Sequence, residues 1–257
     1  MNKILLVTGG ASGIGAATAR LAAARGYDVA INFRSREAQA FALARDLGRA
    51  GIRAVAVHAD VSVPADVERL FATVDAELGP VSALVNSAGV SLAGVSVRDV
   101  TPAALEHVMR TNVIGLMICC REAVRRMSTL RGGSGGVIVN VSSMAATIDG
   151  RPGSVHYAAS KAAVDAYTVG LAKEVASEGI RAVSLRPGFT VTDMAEAQLS
   201  NPAFSATVNA SIPMGRPARA EEVARPIAWL LSDEASFVSG ACLDVSGGGF
   251  VIGSRAP

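Results

Sequence analysis

The stretch VTGGASGIG, residues 7–15, stands between a short apolar run and an alanine-rich segment with helical character. Gly9, Gly13 and Gly15 permit a tight turn, a close backbone approach and close packing of a helix on a strand. The amino end of that helix offers free N–H groups and a partial positive charge to a diphosphate. The spacing is G-x3-G-x-G rather than G-x-G-x-x-G, and its place between strand and helix predicts a nucleotide site.

Outward from this turn, short β-branched runs alternate with longer helical patterns. The expected strands are Lys3–Thr8, Asp28–Phe33, Arg53–His58, Ala83–Asn86, Val137–Ser142, Ile180–Arg186 and Leu243–Ser246. The expected helices are Ile14–Gly26, Arg36–Gly51, Pro64–Leu78, Pro102–Met127, Val155–Gly179 and Ala220–Leu231. This alternation predicts an α/β fold, a doubly wound parallel sheet of about seven strands with helices on both faces. We expect one domain over residues 1–257, with a substrate lid at about 192–215.

The amino-acid composition limits the classes of protein to which the chain can belong. Half of the residues are apolar, 18% are charged and the net charge is +2, so a disordered chain is excluded. The small net charge gives little attraction to nucleic acid or to an anionic membrane. The three cysteines form no metal-ligand spacing, and no apolar run approaches the length of a membrane span. We expect a soluble cytoplasmic protein without a metal, without a nucleic-acid partner and without a membrane partner.

The end of the second expected strand indicates which nucleotide binds. An acidic residue there would hydrogen-bond the ribose 2′-hydroxyl of NAD. The sequence instead reads INFRSRE, in which Arg34 and Ser35 follow the strand. An arginine beside a hydroxyl suits a 2′-phosphate. The pattern favours NADP(H), with NAD(H) as the alternative. The arginines could also simply begin a solvent-exposed helix without binding a nucleotide.

The stretch SVHYAASK, residues 154–161, places Tyr157 and Lys161 one helical turn apart. A free phenol ionises near pH 10, which is too high for a base at neutral pH. A nearby ammonium favours the phenolate, so the tyrosine can exchange a proton with a substrate oxygen while a nicotinamide exchanges a hydride. Upstream, Ser142 and Ser143 close the fifth strand, where a hydroxyl could hold a substrate carbonyl or cap a turn.

With these motifs in order, the chain resembles the short-chain dehydrogenase/reductase family over nearly its whole length, in its short non-extended branch. The matching segments are TGGASGIG, the Asp60–Val61 pair, NSAG with Ser87 as a departure, RTNVIG, YAASK and RPGFTVT. The resemblance implies a Rossmann-type fold and a catalytic tetrad of Asn112, Ser143, Tyr157 and Lys161. The cofactor contacts it implies are Gly9, Ser12, Gly13, Ile14, Gly15, Arg34, Ser35, Asp60, Val61, Asn86, Ala88, Gly89, Tyr157, Lys161, Pro187, Gly188, Thr190 and Thr192.

One departure concerns the serine. The family commonly places it thirteen residues before the tyrosine, where this chain has Met144. We assign one extra residue to the loop IDGRPGSVH, because loops accept insertions readily. This choice selects Ser143, with Ser142 as the alternative. We expect His156, next to Tyr157, to point away from the tyrosine's face toward the pocket rim or solvent.

The leading hypothesis is an NADP-dependent oxidoreductase that interconverts a carbonyl and a secondary alcohol, with Tyr157 as general acid and base. The alternatives are an NAD-linked sugar or alcohol dehydrogenase of the same family, a nucleotide-sensing protein without catalysis, and an extended-branch epimerase or dehydratase. The substrate stays open, since the chain resembles 3-oxoacyl-carrier-protein reductases and glucose dehydrogenases equally well. The largely apolar candidate pocket tilts toward a non-sugar carbonyl; its residues are Ser91, Met144, Ala145, Val155, Phe189 and Met194–Phe204. The resemblance further implies a homotetramer or homodimer.

Overall fold

The computed structural model describes residues 2–92, 94–148, 150, 152–192, 195 and 199–249. Its strands are β1 (Ile4–Thr8), β2 (Asp28–Phe33), β3 (Ala54–His58), β4 (Ala83–Asn86), β5 (Gly136–Val141), β6 (Ile180–Pro187), β7 (Thr190–Val191), β8 (Ala218–Arg219) and β9 (Cys242–Val245). Its α-helices are α1 (Gly13–Ala23), α2 (Glu37–Arg49), α3 (Pro64–Glu77), α4 (Pro102–Met109), α5 (Leu116–Met127), α6 (Val155–Val175), α7 (Pro202–Ser211) and α8 (Ala220–Leu230).

The strands confirm the predicted doubly wound sheet. Seven of them lie in the order β3-β2-β1-β4-β5-β6-β9, and every pair is parallel. The order reverses between β1 and β4, so the crevice of this switch point opens where the glycine turn leaves β1. The sheet therefore gathers the turns after β1, β4, β5 and β6 at one edge.

Two apolar layers hold the sheet. On one face, α3, α5 and α6 cover it, with Phe71 and Leu70 fully buried. On the other face lie α1, α2 and α8, where alanines such as Ala19 and Ala22 bring α1 close to α8. Strands β1, β2 and β4 are buried at every residue, which explains why they read as nearly continuous apolar runs.

The predicted helix Pro102–Met127 is interrupted. A π-helical segment, Arg110–Gly115, joins α4 to α5. A Cβ on Gly115 would lie 2.5 Å from the carbonyl oxygen of Val61, so the glycine permits the close approach of this segment to the loop after β3. The predicted periodicity was correct for both flanking helices, but the extra residue of a π-turn leaves no mark in an apolar pattern.

The same segment corrects the expectation about membrane spans. Pro102–Met127 has 26 residues, and its most apolar stretch of 18 residues reaches a mean hydropathy of 1.2, so it is long and apolar enough to cross a bilayer. However, 44% of its most apolar window is buried inside the protein. Its apolar residues therefore serve the sheet face, as in the core helix of a globular domain.

The segment predicted as a lid, 192–215, contains α7, which begins after Asn201 and carries Phe204 toward the sheet edge. The Asn201 side chain accepts hydrogen bonds from the N–H groups of Ala203 and Phe204 and so caps this helix. Met194, proposed for the pocket, lies outside the described residues. Closure of the segment over a substrate, the extent of one domain over 1–257 and a cytoplasmic location stay predictions.

The predicted subunit contacts also stay untested. Leu105, Met109 and Ile114 expose 38%, 38% and 45% of their surface along the Pro102–Met127 segment. Such side chains are compatible with a homotetramer or homodimer, but isolated exposed apolar residues are also ordinary on a monomer.

Candidate active site

A cleft of about 970 Å³ runs along the carboxyl edge of the sheet. It joins the glycine turn to the end of β2 on one side and to the first turn of α6 on the other. The predicted site residues that line it are Gly9, Ser12, Gly13, Ile14, Arg34, Ser35, Asp60, Val61, Ala88, Gly89, Ser143, Tyr157, Lys161, Pro187, Gly188, Thr190 and Thr192. One continuous cleft of this size suits a dinucleotide and a small substrate together.

The glycine turn is closely surrounded by backbone. Gly9 has φ +62°, and a Cβ on it would lie 2.9 Å from the Cα of Ala88. Gly13 has φ +52° and faces the side chain of Thr192, while a Cβ on Gly15 would collide with the Gly9 carbonyl. The Ser12 side chain makes no hydrogen bond to the amino end of α1. The glycines add no side chains of their own to this part of the cleft, and the amino end of α1 borders it, which fits a diphosphate.

Two buried polar side chains hold this turn in place, and sequence reasoning missed both. Asn32, in β2, accepts a hydrogen bond from the Gly9 N–H at 3.3 Å and donates to the Ala59 carbonyl at 2.9 Å. Thr8 accepts from the N–H groups of Ser87 and Ala88 through its hydroxyl, each at 3.2 Å. A polar residue inside an otherwise apolar strand was the available signal, because buried polar groups need partners.

At the end of β2, Arg34 and Ser35 are exposed at the cleft. Arg34 forms a loose ion pair with Asp60, with Nη1 and Oδ2 3.8 Å apart. The Arg34 carbonyl lies 3.0 Å from Nε2 of His58. The arrangement presents a half-exposed cation and a hydroxyl to any group bound beside them, which suits a phosphate.

At the other end of the cleft, the two candidate serines differ in what they touch. Ser143 lies beside the phenol of Tyr157, close enough to favour its ionised form, and its hydroxyl accepts from the Ala145 N–H at 3.1 Å. Ser142 is buried, and its hydroxyl donates to the Lys161 carbonyl at 3.0 Å. Only the Ser143 hydroxyl therefore stands beside the phenol.

Tyr157 has a pKa above its ordinary value of 10.0, because burial outweighs the hydrogen bond from Ser143, which acts in the opposite direction. Sequence reasoning expected Lys161 to lower this pKa. The Lys161 ammonium, however, donates to the Val141 carbonyl at 2.8 Å and lies 5.8 Å from the centre of the Tyr157 ring. The phenol is therefore protonated at neutral pH in this structure.

Lys161 is itself buried, with 5% of its surface exposed. Burial lowers its pKa from 10.5 to about 8, while the carboxylate of Asp165, one turn further along α6, acts to raise it. An ammonium that is held in a buried place beside the cleft is a strong source of local positive charge.

Asn112 lies in the π-helical segment and holds two elements together. Its side chain accepts from the Val90 N–H at 2.8 Å and donates to the Val90 carbonyl at 2.9 Å. It also donates to the Ser160 hydroxyl at 3.1 Å, and that hydroxyl donates to the Tyr157 carbonyl at 2.7 Å. Ser160 had no assigned role in the sequence, although it sits inside the YAASK motif.

The structure does not bring three of the predicted residues to the wall of the cleft. Gly15 lies behind the turn, and Asn112 is 1% exposed. Asn86 is buried at 2%, and its amide donates to Asn140 Oδ1 at 2.9 Å, inside the sheet layer. These residues contact other parts of the protein, so any role toward a ligand runs through the residues that they support.

The substrate end of the cleft is largely apolar. Phe189, after β6, and Phe204, in α7, meet edge to face with ring centres 6.0 Å apart. The remaining described residues at this end are Val90, Ser91, Gly94, Met144, Ala145, Ile148, Gly150, Pro152, Ser154, Thr192 and Ala195. Val155, which sequence reasoning had placed in the pocket, is instead 40% exposed and does not line it. In the part of the chain that the structure describes, no group of three His, Cys, Asp or Glu residues is placed to hold a metal.

Comparison with known proteins decides the family. The sequence profile of the enoyl-(acyl carrier protein) reductase family matches residues 9–249. A short chain dehydrogenase from Burkholderia cenocepacia, solved in complex with NADP, superimposes with a TM-score of 0.87 and 33% identity, over 96% of this chain and 97% of its own. The chain belongs to the short-chain dehydrogenase/reductase family. Its fold, glycine turn and YAASK motif agree with that membership.

Relatives of this short-chain dehydrogenase/reductase cover almost its full length. The uncharacterized oxidoreductase YgfF of Escherichia coli is 46% identical over 95% of this chain and 99% of its own. The cis-4-hydroxycyclohexanecarboxylate dehydrogenase of Sinomonas cyclohexanicum is 40% identical, over 96% of both chains. The 3beta-hydroxysteroid dehydrogenase 1 of Eggerthella lenta is 39% identical over 96% of this chain and 93% of its own.

A second solved structure extends the comparison. A blue fluorescent protein from a metagenomic library, in complex with NADPH, superimposes with a TM-score of 0.88 and 36% identity, over 96% of this chain and 97% of its own. Because both solved relatives hold a nicotinamide dinucleotide and the named relatives are dehydrogenases or reductases, this chain is a nicotinamide-dependent oxidoreductase acting on alcohol or carbonyl groups.

Proposed function

We propose that the protein is an NADP-dependent oxidoreductase that interconverts a ketone and a secondary alcohol, with Tyr157 as the general acid and base. The observation that carries the proposal is the contact between the Tyr157 phenol and the Ser143 hydroxyl at the cleft, with the Lys161 ammonium beside them. The three groups supply a proton, a hydrogen bond and a positive charge to one oxygen atom of a substrate.

The residues present fit the cofactor. The glycine turn leaves room and backbone N–H groups for the diphosphate, and no acidic side chain ends β2, where an NAD ribose would need one. Arg34 and Ser35 suit the 2′-phosphate of NADP, and Pro187, Gly188, Thr190 and Thr192 line the opposite wall toward the nicotinamide. When bound, the nicotinamide supplies or accepts the hydride at the substrate carbon.

The chain's own residues handle the proton. In the reducing direction, the Ser143 hydroxyl holds the carbonyl oxygen while the Tyr157 phenol gives it a proton. The raised pKa of Tyr157 suits this direction, because the phenol carries its proton at neutral pH. The Lys161 ammonium then stabilises the phenolate that remains, and alcohol oxidation reverses these transfers.

The substrate proposed is an apolar ring ketone or its alcohol. The aromatic pair Phe189 and Phe204 closes an apolar end of the cleft. Two relatives, at 40% and 39% identity, are named for the oxidation of hydroxyl groups on rings, one on cyclohexane and one on a steroid. A polar open-chain sugar would leave most of its hydroxyl groups without partners on such a wall.

Replacing Tyr157 with phenylalanine tests the reaction. We expect Tyr157→Phe to bind NADPH as the parent does and to lose about 1000-fold in kcat, the range of a general acid. The assay follows NADPH oxidation with substituted cyclohexanones, 3-ketosteroids, acyl thioesters and, in the oxidising direction, sugars. Retained turnover in the variant would refute the role of Tyr157, and faster turnover with NAD and a sugar would favour the sugar dehydrogenase. A parent protein that binds NADPH without turning over any carbonyl would favour the sensing alternative.

A further inference from the structure

His156 is the titratable side chain next to the acid–base tyrosine that the proposed reaction does not use. It is buried, with 8% of its surface exposed, and its Nε2 lies 3.1 Å from the carbonyl oxygen of Leu92. A carbonyl oxygen only accepts, so Nε2 carries the proton and donates. The expected place at the pocket rim or in solvent is wrong, because the ring turns inward beneath the loop after β4.

Leu92 belongs to the β4–α4 loop, of which residues 87–92 and 94–101 are described. Asn112 holds the start of this loop through both backbone groups of Val90. His156 holds its middle through Leu92. Val90, at the first anchor, and Ser91, between the two anchors, line the substrate end of the cleft.

A third contact joins the β4–α4 loop to the loop that precedes α6. The N–H of Gly94 donates to the carbonyl of Gly153 at 3.1 Å. A Cβ on Gly153 would lie 3.0 Å from the Cα of Gly94, and both glycines have positive φ, +85° and +80°. The two backbones therefore approach as closely as glycines allow. The loop before α6 is the one to which we assign, from the sequence, the extra residue between Ser143 and Tyr157.

We propose that His156 is a positioning residue that fixes the wall of the substrate pocket. Its hydrogen bond ties the β4–α4 loop to the first turn of α6, directly beside Tyr157. His156 thereby adds a side-chain bond to the contacts at Val90 and Gly94, and together they set the distance between the acid–base group and the opposite wall. The proposal rests on the proposed function, because it assigns this wall to the carbonyl substrate.

The position of His156 restricts the expected effect to the substrate. Both tied loops border the same end of the cleft, through Ser91 and Gly94 on one side and Pro152 and Ser154 on the other. The glycine turn and Arg34 lie at the opposite end, and the hydrogen bonds to Thr8 reach the β4–α4 loop at Ser87 and Ala88, which precede Val90 and lie away from Leu92. Loosening the tie should therefore change substrate binding and leave NADPH binding unchanged.

Three substitutions separate the role of Nε2 from that of the ring. His156→Gln places an amide N–H at the same distance from the backbone as Nε2, so it can restore the bond to Leu92. His156→Asn carries a similar amide on a shorter side chain that stops at the level of Nδ1. His156→Leu keeps the volume and removes the donor. His107→Leu, at an exposed position of α4, is the control for loss of a histidine.

Steady-state kinetics with a ring ketone, and NADPH titration by fluorescence, give the main readouts. We expect His156→Leu and His156→Asn to raise KM for the ketone on the order of tenfold, the effect of one lost buried hydrogen bond. We expect kcat, the Kd for NADPH and all values of His156→Gln to stay within about threefold of the parent. An unchanged KM in His156→Leu, or equal effects of the Asn and Gln variants, would overturn the proposal.

Amide hydrogen exchange tests the hydrogen bond between His156 and Leu92 without any turnover. In the cofactor-free protein, peptides that contain Gly94 should exchange faster in His156→Leu and His156→Asn than in the parent and in His156→Gln. Unchanged exchange in all variants would refute the tie, whichever substrate the enzyme uses. A parent protein that reduces no ketone but shows the exchange pattern would instead refute the proposed function and keep the positioning role.

Discussion

The two ends of the cleft differ in composition: one is formed mainly by glycine backbone and the other by buried polar side chains. At the cofactor end the backbone forms the wall, because Gly9, Gly13 and Gly15 have no side chains and so leave space for a ligand. The exposed Arg34 adds positive charge there. The catalytic end is made of buried polar side chains, with Ser160 and Lys161 exposing 0% and 5% of their surface. Added atoms should therefore harm the first end, and removed atoms should harm the second.

This difference explains how each end can be recognised in a sequence. The diphosphate site consists of a glycine turn and the amino end of a helix, so it depends on residues that are close together in the chain. A cluster of buried polar groups depends on partners far away, as when Asn112 reaches both Val90 and Ser160. Such a cluster is stable only when each member finds its partners, so it is sensitive to the loss of one.

The largest effect on NADPH binding is expected from adding a single methyl group at the cofactor end. Gly9→Ala places a Cβ 2.9 Å from the Cα of Ala88 at a φ of +62°. We expect the Kd for NADPH to rise on the order of 100-fold from strain and lost space. Fluorescence titration measures the Kd, with the thermal midpoint as a check on folding.

Gly48→Ala, in α2 and outside the cleft, is the matched control for this prediction. Its Cβ would meet no heavy atom within 4 Å, and its φ is not positive. We expect the Kd for NADPH to change by less than about threefold. Equal losses in both variants would mean that the effect of Gly9→Ala does not come from the crowded turn, and the contrast between the two ends would disappear.

An intermediate effect is expected from the charge at the cofactor end. Arg34→Ala should raise the Kd for NADPH about tenfold, the contribution of a charge-assisted hydrogen bond to the 2′-phosphate. The Kd for NADH, which lacks this phosphate, should not change. Arg45→Ala, an exposed arginine of α2, controls for the general loss of positive charge. Equal weakening of both dinucleotides by Arg34→Ala would contradict the assignment of NADP.

The smallest effect is expected at the catalytic end, where the burial of Lys161 makes the free energy of unfolding depend on pH. Burial lowers the pKa of Lys161 from 10.5 to about 8. Between these values the unfolded chain binds the proton and the folded protein does not. The contribution of this group to stability therefore rises with pH, by about 1 kcal/mol per pH unit.

Urea unfolding at several pH values, on the parent and on Lys161→Met, measures this contribution as a difference. The raised pKa values of the buried Cys119 and Cys120 thiols act in the opposite direction, but they cancel between the two proteins. Lys173→Met, at an exposed position of the same helix, is the control. A difference in unfolding free energy that stays flat from about pH 8 to about pH 10 would show that Lys161 is not desolvated.

Much of the fold could be predicted from the sequence, because the signals are local. The buried strands appear as apolar runs, the turn appears as glycines, and Tyr157 and Lys161 appear at a helical spacing. The element boundaries differ by a few residues, as at the start of α1, because hydrogen-bonding ends depend on neighbours. The interruption of Pro102–Met127 leaves no signal in the apolar pattern, since a π-turn keeps the same apolar composition.

The sequence by itself determined the doubly wound sheet, the glycine turn, the absence of an acidic residue after β2 and the presence of the tetrad residue types. Only the tertiary structure distinguished Ser143 from Ser142, gave Asn32 its bond to Gly9 and turned His156 beneath Leu92. Periodicity and turn chemistry act between neighbours in the chain. The partner of a buried polar group is chosen by the packing of segments that are distant in sequence.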